Sequence, residues 1–272
     1  VSRRRCLMEP NSIVTFADLD ETLFSSKLLP TEERSSEPAA LGESGEIVSY
    51  AAPRQKSLMW MLRQAGAVVP VTARSRHAFS RVLIPFDGYA ILSHGAVVVK
   101  PDRSVDLDWQ EMIKTKVKAL SDSLQHLVDE ILRSRNSGTL RTWLVKEDGI
   151  EVYVVVKGIS ADCERLESLH SEFLSDWMLR NSGYQIHRKG RHLVVIPKEI
   201  SKMAAVEYLM QVMRKQTPNL TFVGIGDSDS DFGFMRLCDY MIIPPASQLR
   251  DSLIDSWTKT ADSSRISVSK KS

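Results

Sequence analysis

The stretch 13–24, IVTFADLDETLF, decides how the rest of the sequence is interpreted. Its first five residues are β-branched, aromatic or small, and such a run predicts a buried strand. Asp18, Asp20 and Thr22 follow directly. Carboxylates that follow a strand lie at the sheet edge where open α/β sheets bind their ligands. Asp and Thr are also good helix caps, so this stretch by itself leaves a purely capping role open.

The composition is that of an ordinary globular protein that can bury a sizeable core. The 272 residues are 43% hydrophobic and 26% charged, which predicts one large domain or two modest ones. The net charge of +2 argues against a polycation that binds nucleic acid. The three cysteines are odd in number and far apart, which favours a reducing compartment over a disulfide framework or a zinc site.

The sequence predicts neither export nor membrane association. Arg3, Arg4 and Arg5 have no apolar segment behind them, so we expect no secretory signal. No apolar run has the length that a bilayer requires. The expected location is therefore the cytoplasm.

Two predicted strands with a helix between them form the first structural unit. The strand at 12–17 is followed by residues 25–52, which are rich in Ser, Glu, Pro and Gly, and in which only Glu46–Tyr50 predicts a short strand. Pro53 begins an amphipathic helix, and Ala67–Val71 predicts the second buried strand. Strand, helix and strand at this spacing predict a βαβ unit with a parallel sheet.

The pattern changes after residue 105. A long helical stretch is followed by two strands, a second helix and two more strands, and a turn containing Gly joins each pair of strands. These segments are Trp109–Arg133, Leu140–Val145, Glu151–Val156, Ala161–Asn181, Tyr184–Arg188 and His192–Ile196. Two hairpins with a helix before each of them predict an α+β module with an antiparallel sheet.

The parallel pattern resumes after this module. Ser201–Gln216 predicts a helix, and Leu220–Ile225 and Tyr240–Ile243 predict strands. The predicted fold class is α/β, with a Rossmann-like parallel sheet core and an inserted α+β cap domain. The predicted domain limits are 1–92 with 197–257 for the discontinuous core, 105–196 for the cap and 258–272 for a disordered tail.

Three of the predicted parallel strands end in polar residues. In chain order these are Asp18, Asp20, Thr22, Thr72, Arg74, Asp227 and Asp231. Because the carboxyl ends of parallel strands lie at one edge of a sheet, we expect these side chains to meet in one crevice. Four carboxylates in one crevice repel each other, and a hard divalent cation offsets that repulsion. Carboxylate oxygens without clustered His or Cys favour Mg²⁺.

Three segments resemble motifs of the haloacid dehalogenase superfamily of phosphohydrolases. The segment 18–24, DLDETLF, resembles motif I, which is DxDxT. The segment 68–75, VVPVTARS, resembles motif II, a strand that ends in Thr or Ser. The segment 224–231, GIGDSDSD, resembles motif IV in its GDxxxD form.

Motif III of that superfamily is a lone lysine at the start of a helix. In the segment 197–202, PKEISK, Lys202 is the preferred candidate and Lys198 is the alternative. The four motifs occur in the expected order and span residues 12–245. With the inserted module between motifs II and III, the chain looks most similar to the sucrose-phosphate and mannosylglycerate-phosphate phosphatases.

The sequence departs from the family pattern at two positions. The segment 89–96, YAILSHGA, resembles the lead into that subgroup's cap, where Asn-Gly is common, but this chain has His94 and Gly95. Motif IV usually has Asn before its second Asp, where this chain has Ser230. The second departure concerns hydrogen bonds around the metal site rather than the metal ligands themselves.

The resemblance implies a role for each motif residue. Asp18 is expected to attack phosphorus, and Asp20 is expected to protonate the leaving oxygen and then to activate water. Thr72 and Lys202 are expected to contact the phosphoryl oxygens.

The resemblance also implies one metal ion and two further substrate contacts. The implied Mg²⁺ ligands are Asp18, the main-chain carbonyl of Asp20, Asp227 and Asp231. Thr22 and Arg74 are the expected substrate-binding residues.

The sequence therefore predicts a Mg²⁺-dependent phosphohydrolase that acts through an aspartyl-phosphate. The expected substrate is a small phosphorylated metabolite, and a sugar phosphate is preferred. Phosphotransfer between sugar phosphates, as in a phosphomutase, is one alternative, and a non-catalytic binding member of the family is another. The sequence predicts neither the particular metabolite nor the oligomeric state.

Overall fold

A computed structural model describes residues 13–118, 120–134, 139–158 and 163–268, without the side chains of 121–123, 163, 189 and 259–268. The arginines at 3–5, Cys6 and the Cys163 side chain lie outside this description. Cys238 is a free thiol, and its burial raises its pKa to about 12.

Strands and helices alternate through most of the described chain. The strands are β1 (Ile13–Ala17), β2 (Glu37–Leu41), β3 (Ile47–Ala51), β4 (Gly66–Pro70), β5 (Ala90–Leu92), β6 (Val97–Val99), β7 (Arg141–Glu147), β8 (Ile150–Lys157), β9 (Tyr184–Lys189), β10 (His192–Pro197), β11 (Thr221–Ile225) and β12 (Tyr240–Ile242). The helices are α1 (Pro53–Ala65), α2 (Arg76–Phe79), α3 (Leu107–Val117), α4 (Ser121–Arg133), α5 (Cys163–Ser168), α6 (Ser175–Arg180), α7 (Lys202–Gln216), α8 (Asp229–Met235) and α9 (Gln248–Val268). A π-helical segment, Leu169–Leu174, joins α5 to α6.

The chain divides into two compact units. The first contains the described residues up to Thr72, Ser80–Ala90 and those from Val206 onward. The second contains Ala73–Phe79 and Ile91–Ala205. The domain limits drawn from the sequence, 1–92 with 197–257 and 105–196, stay predictions.

The first unit is built on a four-stranded sheet with the order β12-β11-β1-β4, in which all pairs are parallel. Ala17, at the end of β1, is opposite both Ile225 of β11 and Pro70 of β4. Phe16 and Phe222 stack in the core with their ring centroids 5.7 Å apart. The parallel sheet predicted from the βαβ pattern is confirmed.

One hairpin of the first unit was only half predicted. The sequence indicated a short strand at Glu46–Tyr50 and no partner for it. In the structure, β3 pairs with β2 in antiparallel register. The β2 sequence EPAAL contains few residues that favour strands, and its pairing shifts register at Ala40, so no alternating pattern marks it. Tertiary pairing with β3 determines this strand.

The second unit contains the predicted α+β module. Its antiparallel sheet has the order β7-β8-β10-β9. Helices cover one face and enclose a core that includes Leu124, Leu127, Val154, Val156, Leu169, Trp177, Leu193 and Val195. The antiparallel sheet predicted from the two hairpins is confirmed.

The predicted single helix Trp109–Arg133 is wrong, because the structure has two helices there, α3 and α4. No Gly or Pro marks the break, and the apolar residues keep their helical spacing across it. The carbonyl of Leu120 accepts a hydrogen bond from the Tyr184 hydroxyl. In addition, α3 packs against β6 while α4 packs against β7 and β8. Tertiary contacts therefore determine the break, which periodicity could not reveal.

The last helix is longer than the sequence indicated. The sequence predicted a helix over Gln248–Trp257 and disorder beyond it, whereas α9 continues to Val268. No Gly or Pro interrupts these residues, so nothing local ends the helix. Residues 269–272 lie outside the described part. Among the described helices, none combines the length and the apolar character needed to cross a membrane.

Candidate active site

Three buried carboxylates converge at the carboxyl edge of the parallel sheet. Asp18 directly follows β1, Asp227 follows β11, and Asp231 lies in the first turn of α8. Their exposed fractions are 5%, 4% and 0%. One carboxylate oxygen from each residue lies within 4.8 Å of the others. Residues more than 200 positions apart in the sequence are thus gathered in one small space.

Backbone contacts explain how these carboxylates meet. The amide of Asp18 donates to the carbonyl of Ile225 at 2.9 Å, which extends the β1–β11 pairing to the first acid. At Gly226, an added Cβ would lie 2.4 Å from the Cβ of Asp231. Only a residue without a side chain allows α8 to approach so closely, so Gly226 is required for Asp231 to reach the cluster.

A serine holds the Asp231 carboxylate in place. The amide of Ser228 donates to Asp231 Oδ2 at 3.0 Å, as in a capping box, and the Ser228 hydroxyl donates to the same oxygen at 2.6 Å. The hydroxyl of Ser230 lies 2.8 Å from that of Ser228. Because the Ser228 hydroxyl already donates to Asp231, Ser230 is the donor of this second bond. Ser230 stands where the resembling family usually has Asn. It therefore contacts Asp231 indirectly, through the Ser228 hydroxyl.

The turn after β1 is fastened to helix α1 by a buried glutamine. The hydroxyl of Thr22 donates to Asp227 Oδ1 at 3.4 Å. Gln55 donates through Nε2 to the carbonyl of Thr22 at 3.2 Å and to the hydroxyl of Ser25 at 2.9 Å. Gln55 was not among the residues predicted from the sequence. Its position three residues after Ala52, whose amide donates to Gln55 Oε1, was the available signal.

Asp20 and Thr72 belong to the same unit as the three acids. Asp20 is half-buried and precedes Glu21, which has a φ of 66° in the tight turn after β1. The amide of Val71 donates to the carbonyl of Ala17 at 2.8 Å, so the chain leaves β4 beside the end of β1. Thr72, fully buried, is the next residue and follows the same sheet edge as Asp18.

Arg74 and Lys202 belong to the second unit, and their relation to the carboxylates stays a prediction. Lys202 is the first residue of α7 and is only 6% exposed, whereas Lys198 is exposed. Ser201 caps this helix by accepting the amide of Ala204 at 3.1 Å. Because lysine is rarely buried unless it is paired, the burial favours Lys202 over Lys198 as the motif III residue.

The residues present fit a hard divalent cation. Three buried carboxylates so close together repel each other unless positive charge or protons offset their charge. Carboxylate oxygens are hard ligands that suit Mg²⁺, and no His or Cys belongs to this group of three. Asp18, Asp227 and Asp231 are the side chains that would hold such an ion.

The second unit contains a polar cluster around the buried Glu147 that no sequence pattern predicts. Glu147, at the end of β7, accepts from the Ser93 hydroxyl at 2.5 Å and from the amide and Nε of Arg76 at 3.0 and 3.1 Å. Arg76 also donates to Asp148, which accepts from Gln110 as well. These residues carry no motif and lie up to 72 positions apart, so only the structure reveals the cluster.

Neither a family model nor a curated protein matches the sequence. Solved structures do match. The sucrose-phosphatase from Synechocystis, solved with sucrose and phosphate, aligns over 91% of this chain and 88% of its own at 15% identity, with a TM-score of 0.57. The C-terminal domain of the Candida albicans trehalose-6-phosphate phosphatase aligns over 82% and 73% at 14% identity, with a TM-score of 0.56. This chain has the sucrose-phosphatase fold. The fold that the four motifs implied is therefore confirmed, while identities this low concern the fold alone.

Proposed function

We propose that this chain is a Mg²⁺-dependent phosphohydrolase that removes phosphate from a small sugar phosphate through an aspartyl-phosphate intermediate. The observation that carries the proposal is the cluster of Asp18, Asp227 and Asp231, buried within 4.8 Å of each other at the carboxyl edge of a parallel sheet. Ligands of open α/β sheets bind at that edge. The sucrose-phosphatase fold supports the same activity.

Asp18 is the nucleophile in this proposal. One of its carboxylate oxygens forms a bond to phosphorus while the bond from phosphorus to the ester oxygen breaks, which leaves a phosphoryl group on Asp18. Asp20, two residues further along the turn, gives its proton to the departing sugar oxygen. Asp20 then accepts a proton from the water that attacks the phosphoryl group, and this second step releases inorganic phosphate and restores Asp18.

The metal ligands in this proposal are the side chains of Asp18, Asp227 and Asp231 and the main-chain carbonyl of Asp20. When bound, Mg²⁺ neutralises negative charge on the carboxylates and on the phosphoryl oxygens. Ser228 orients Asp231 through two hydrogen bonds, so it supports the metal site without being a ligand.

Three further residues are proposed to contact the substrate. Thr72, buried at the same edge as Asp18, donates its hydroxyl to a phosphoryl oxygen. The ammonium of Lys202 pairs with the phosphoryl charge, and Arg74 binds a more distant part of the substrate. The motifs support these roles.

The proposed substrate class rests on two solved phosphatases. One contains sucrose and phosphate, and the other is named for trehalose 6-phosphate. A sugar phosphate is therefore the first class to test, and a cytoplasmic location stays a prediction.

Phosphate release tests the proposal. The wild-type chain and the D18N variant are assayed with p-nitrophenyl phosphate and with a panel of sugar phosphates, each in Mg²⁺ and in EDTA. We expect EDTA to abolish hydrolysis, and D18N to lower it by at least about 1,000-fold because the attacking carboxylate oxygen is lost. D87N, which changes an exposed aspartate of the same unit, is the control and should retain wild-type activity. Hydrolysis by D18N at the wild-type rate would refute the mechanism.

A further inference from the structure

Helix α1 contains a buried glutamine that contacts the turn after β1. Gln55 is only 5% exposed, and both ends of its amide are used. Its Oε1 accepts from the amide of Ala52 at 3.0 Å, and its Nε2 donates to the carbonyl of Thr22 at 3.2 Å and to the hydroxyl of Ser25 at 2.9 Å. A buried amide costs free energy unless it is paired in this way. The partners also fix its orientation, because exchanging the oxygen and the nitrogen would set donor against donor at Ala52.

The start of the helix does not by itself require an amide at this position. Gln55 is the third residue of α1, where either Glu or Gln can accept the amide of the residue that precedes the helix. A glutamate carboxylate would offer no N–H to the carbonyl of Thr22. The contact with the turn, rather than the cap of α1, therefore requires that the residue is glutamine.

The turn that Gln55 contacts is tight and has an unusual backbone. The amides of Leu23 and Phe24 both donate to the carbonyl of Leu19, at 2.9 and 3.2 Å. Glu21 lies within the turn with a φ of 66°, in the left-handed region that residues other than glycine rarely adopt. Such a backbone persists where neighbouring structure holds it, and Gln55 holds this turn from helix α1.

Two groups of this turn belong to the proposed metal site or contact it. Asp20, directly before Glu21, supplies its main-chain carbonyl in the proposed function. Thr22 contacts Gln55 through its carbonyl, and its hydroxyl donates to Asp227 Oδ1 at 3.4 Å. This second bond is long, so it depends closely on where the turn lies. Thr22 and Asp227 are each only 4% exposed, so little water is present to replace the bond.

We propose that Gln55 is a positioning residue of the metal site, and that it acts through the turn after β1 on Asp227 and on the carbonyl of Asp20. The inference rests on the proposed function for the identity of the cation. Gln55 itself touches neither the metal nor the substrate. Groups that orient metal ligands in this way typically change metal affinity by about 10- to 100-fold when they are removed.

Calorimetric titration of the full chain with Mg²⁺ alone measures this role without hydrolysis. Q55M keeps an unbranched side chain of similar length, but it cannot donate to Thr22 or Ser25. We expect Q55M to weaken Mg²⁺ binding by about ten-fold, because the turn is no longer held where Thr22 meets Asp227. An affinity equal to that of the wild-type chain would overturn the inference.

A double-mutant cycle tests the route through Thr22. T22V removes the hydroxyl that contacts Asp227 and retains the carbonyl that accepts from Gln55. We expect T22V to weaken Mg²⁺ binding by about five-fold, as for the loss of one hydrogen bond. Because both changes act on the same turn, T22V/Q55M should bind Mg²⁺ about as weakly as Q55M alone. A double variant that shows the product of the two single losses would refute the proposed route.

A matched control separates this role from a general loss of stability. L62A removes a buried side chain of the same helix, about two turns beyond Gln55. L62A should lower the melting temperature in EDTA and leave the Mg²⁺ affinity unchanged. Equal weakening of Mg²⁺ binding by L62A and Q55M would mean that Gln55 is only structural, and the inference would fail.

A second variant covers the case in which Q55M does not fold, as judged by its melting curve. Q55E keeps an acceptor for the amide of Ala52 and loses the N–H donors to the turn. Its added negative charge would by itself favour Mg²⁺, so weaker binding by Q55E would have to come from the lost donors. Unchanged or tighter binding by Q55E would overturn the inference.

The remaining outcomes distinguish the two proposals. If the wild-type chain binds Mg²⁺, and Q55M weakens this binding while no phosphate ester is hydrolysed, the proposed hydrolysis fails and the positioning role is supported. If the wild-type chain hydrolyses a phosphate ester in Mg²⁺ while Q55M binds Mg²⁺ as tightly as the wild type, the proposed function stands and the positioning role is refuted. A wild-type chain that binds no Mg²⁺ also refutes the positioning role, and phosphate release in EDTA then decides separately whether hydrolysis occurs.

Discussion

The buried acids of the two units have opposite electrostatic surroundings. In the first unit, one carboxylate oxygen each of Asp18, Asp227 and Asp231 lies within 4.8 Å of the others, so three like charges are close together. In the second unit, the single carboxylate of Glu147 meets the guanidinium of Arg76 at 3.1 Å and the Ser93 hydroxyl at 2.5 Å. The first arrangement raises the energy of the folded chain until a cation binds, and the second lowers it by matching charge with hydrogen-bond donors.

This contrast gives a physical criterion for separating functional from structural acids. Substitution of a buried acid that pairs with a cation and with hydrogen-bond donors of its own unit should mainly lower stability. Buried acids gathered with each other should matter mainly for binding and activity, because their repulsion favours a positively charged ligand. Glu147 is as deeply buried as Asp18 and Asp227, so the burial of the acid alone does not distinguish the two clusters.

The largest expected effect comes from D227N in the carboxylate cluster. Asn retains an oxygen that can accept from Thr22, but it removes one of the three negative charges. We expect hydrolysis in Mg²⁺ to fall by at least about 1,000-fold, because a proposed metal ligand loses its charge. In EDTA, the melting temperature should stay equal or rise, since repulsion is relieved.

Thermal melting with and without Mg²⁺ checks the second half of this prediction. Mg²⁺ should raise the melting temperature of the wild-type chain and should have little effect on D227N. A large fall in the melting temperature of D227N in EDTA would contradict the contrast, because Asp227 would then be a structural acid like Glu147.

A smaller effect, on stability, is expected from E147Q in the second unit. Gln keeps the size of the side chain but removes the charge, and its amide nitrogen cannot accept from Ser93 or Arg76. We expect the free energy of unfolding to fall by about 2 kcal/mol, which is less than for a fully buried ion pair because the Arg76 side chain is 39% exposed.

Urea denaturation of E147Q measures this change. E130Q, an exposed glutamate of α4, is the matched control, and its effect should stay within about 0.5 kcal/mol. If E147Q is no less stable than E130Q, the hydrogen bonds to Ser93 and Arg76 do not stabilise the unit and the contrast fails.

The sequence was sufficient to predict the sheet edge that carries the acids. Asp18 and Asp227 each follow an apolar strand, and parallel strands end at one edge, so their convergence follows from periodicity and topology. The Gly before Asp227 belonged to the motif, but its contact with the Cβ of Asp231 appears only in the structure. The local signal was strong because strand ends and acids coincide along the chain.

The second cluster could not be predicted in this way. Glu147 lies 54 positions from Ser93 and 71 from Arg76 in the sequence. No sequence pattern links these three residues. His94 was noticed only as a departure from Asn, and its contact with His187 depends on the pairing of β9 with β10. Contacts between distant elements, such as the one that separates α3 from α4, leave no periodic trace in the sequence.

The smallest expected effect concerns the pH dependence of stability through His94. Its pKa in the folded chain is lowered by burial and by the nearby Lys202 and His187, with the uncharged Tyr153 ring on its remaining side. As pH falls below the ordinary value near 6.5, the unfolded chain binds a proton at this residue and the folded chain does not. The free energy of unfolding therefore decreases over this range by up to about 1.4 kcal/mol per pH unit.

Urea denaturation at pH 7.5 and 5.5 should show a loss about 1 kcal/mol greater for the wild-type chain than for H94N. Equal losses in both chains would mean that His94 is protonated in the folded state, and that burial does not lower its pKa.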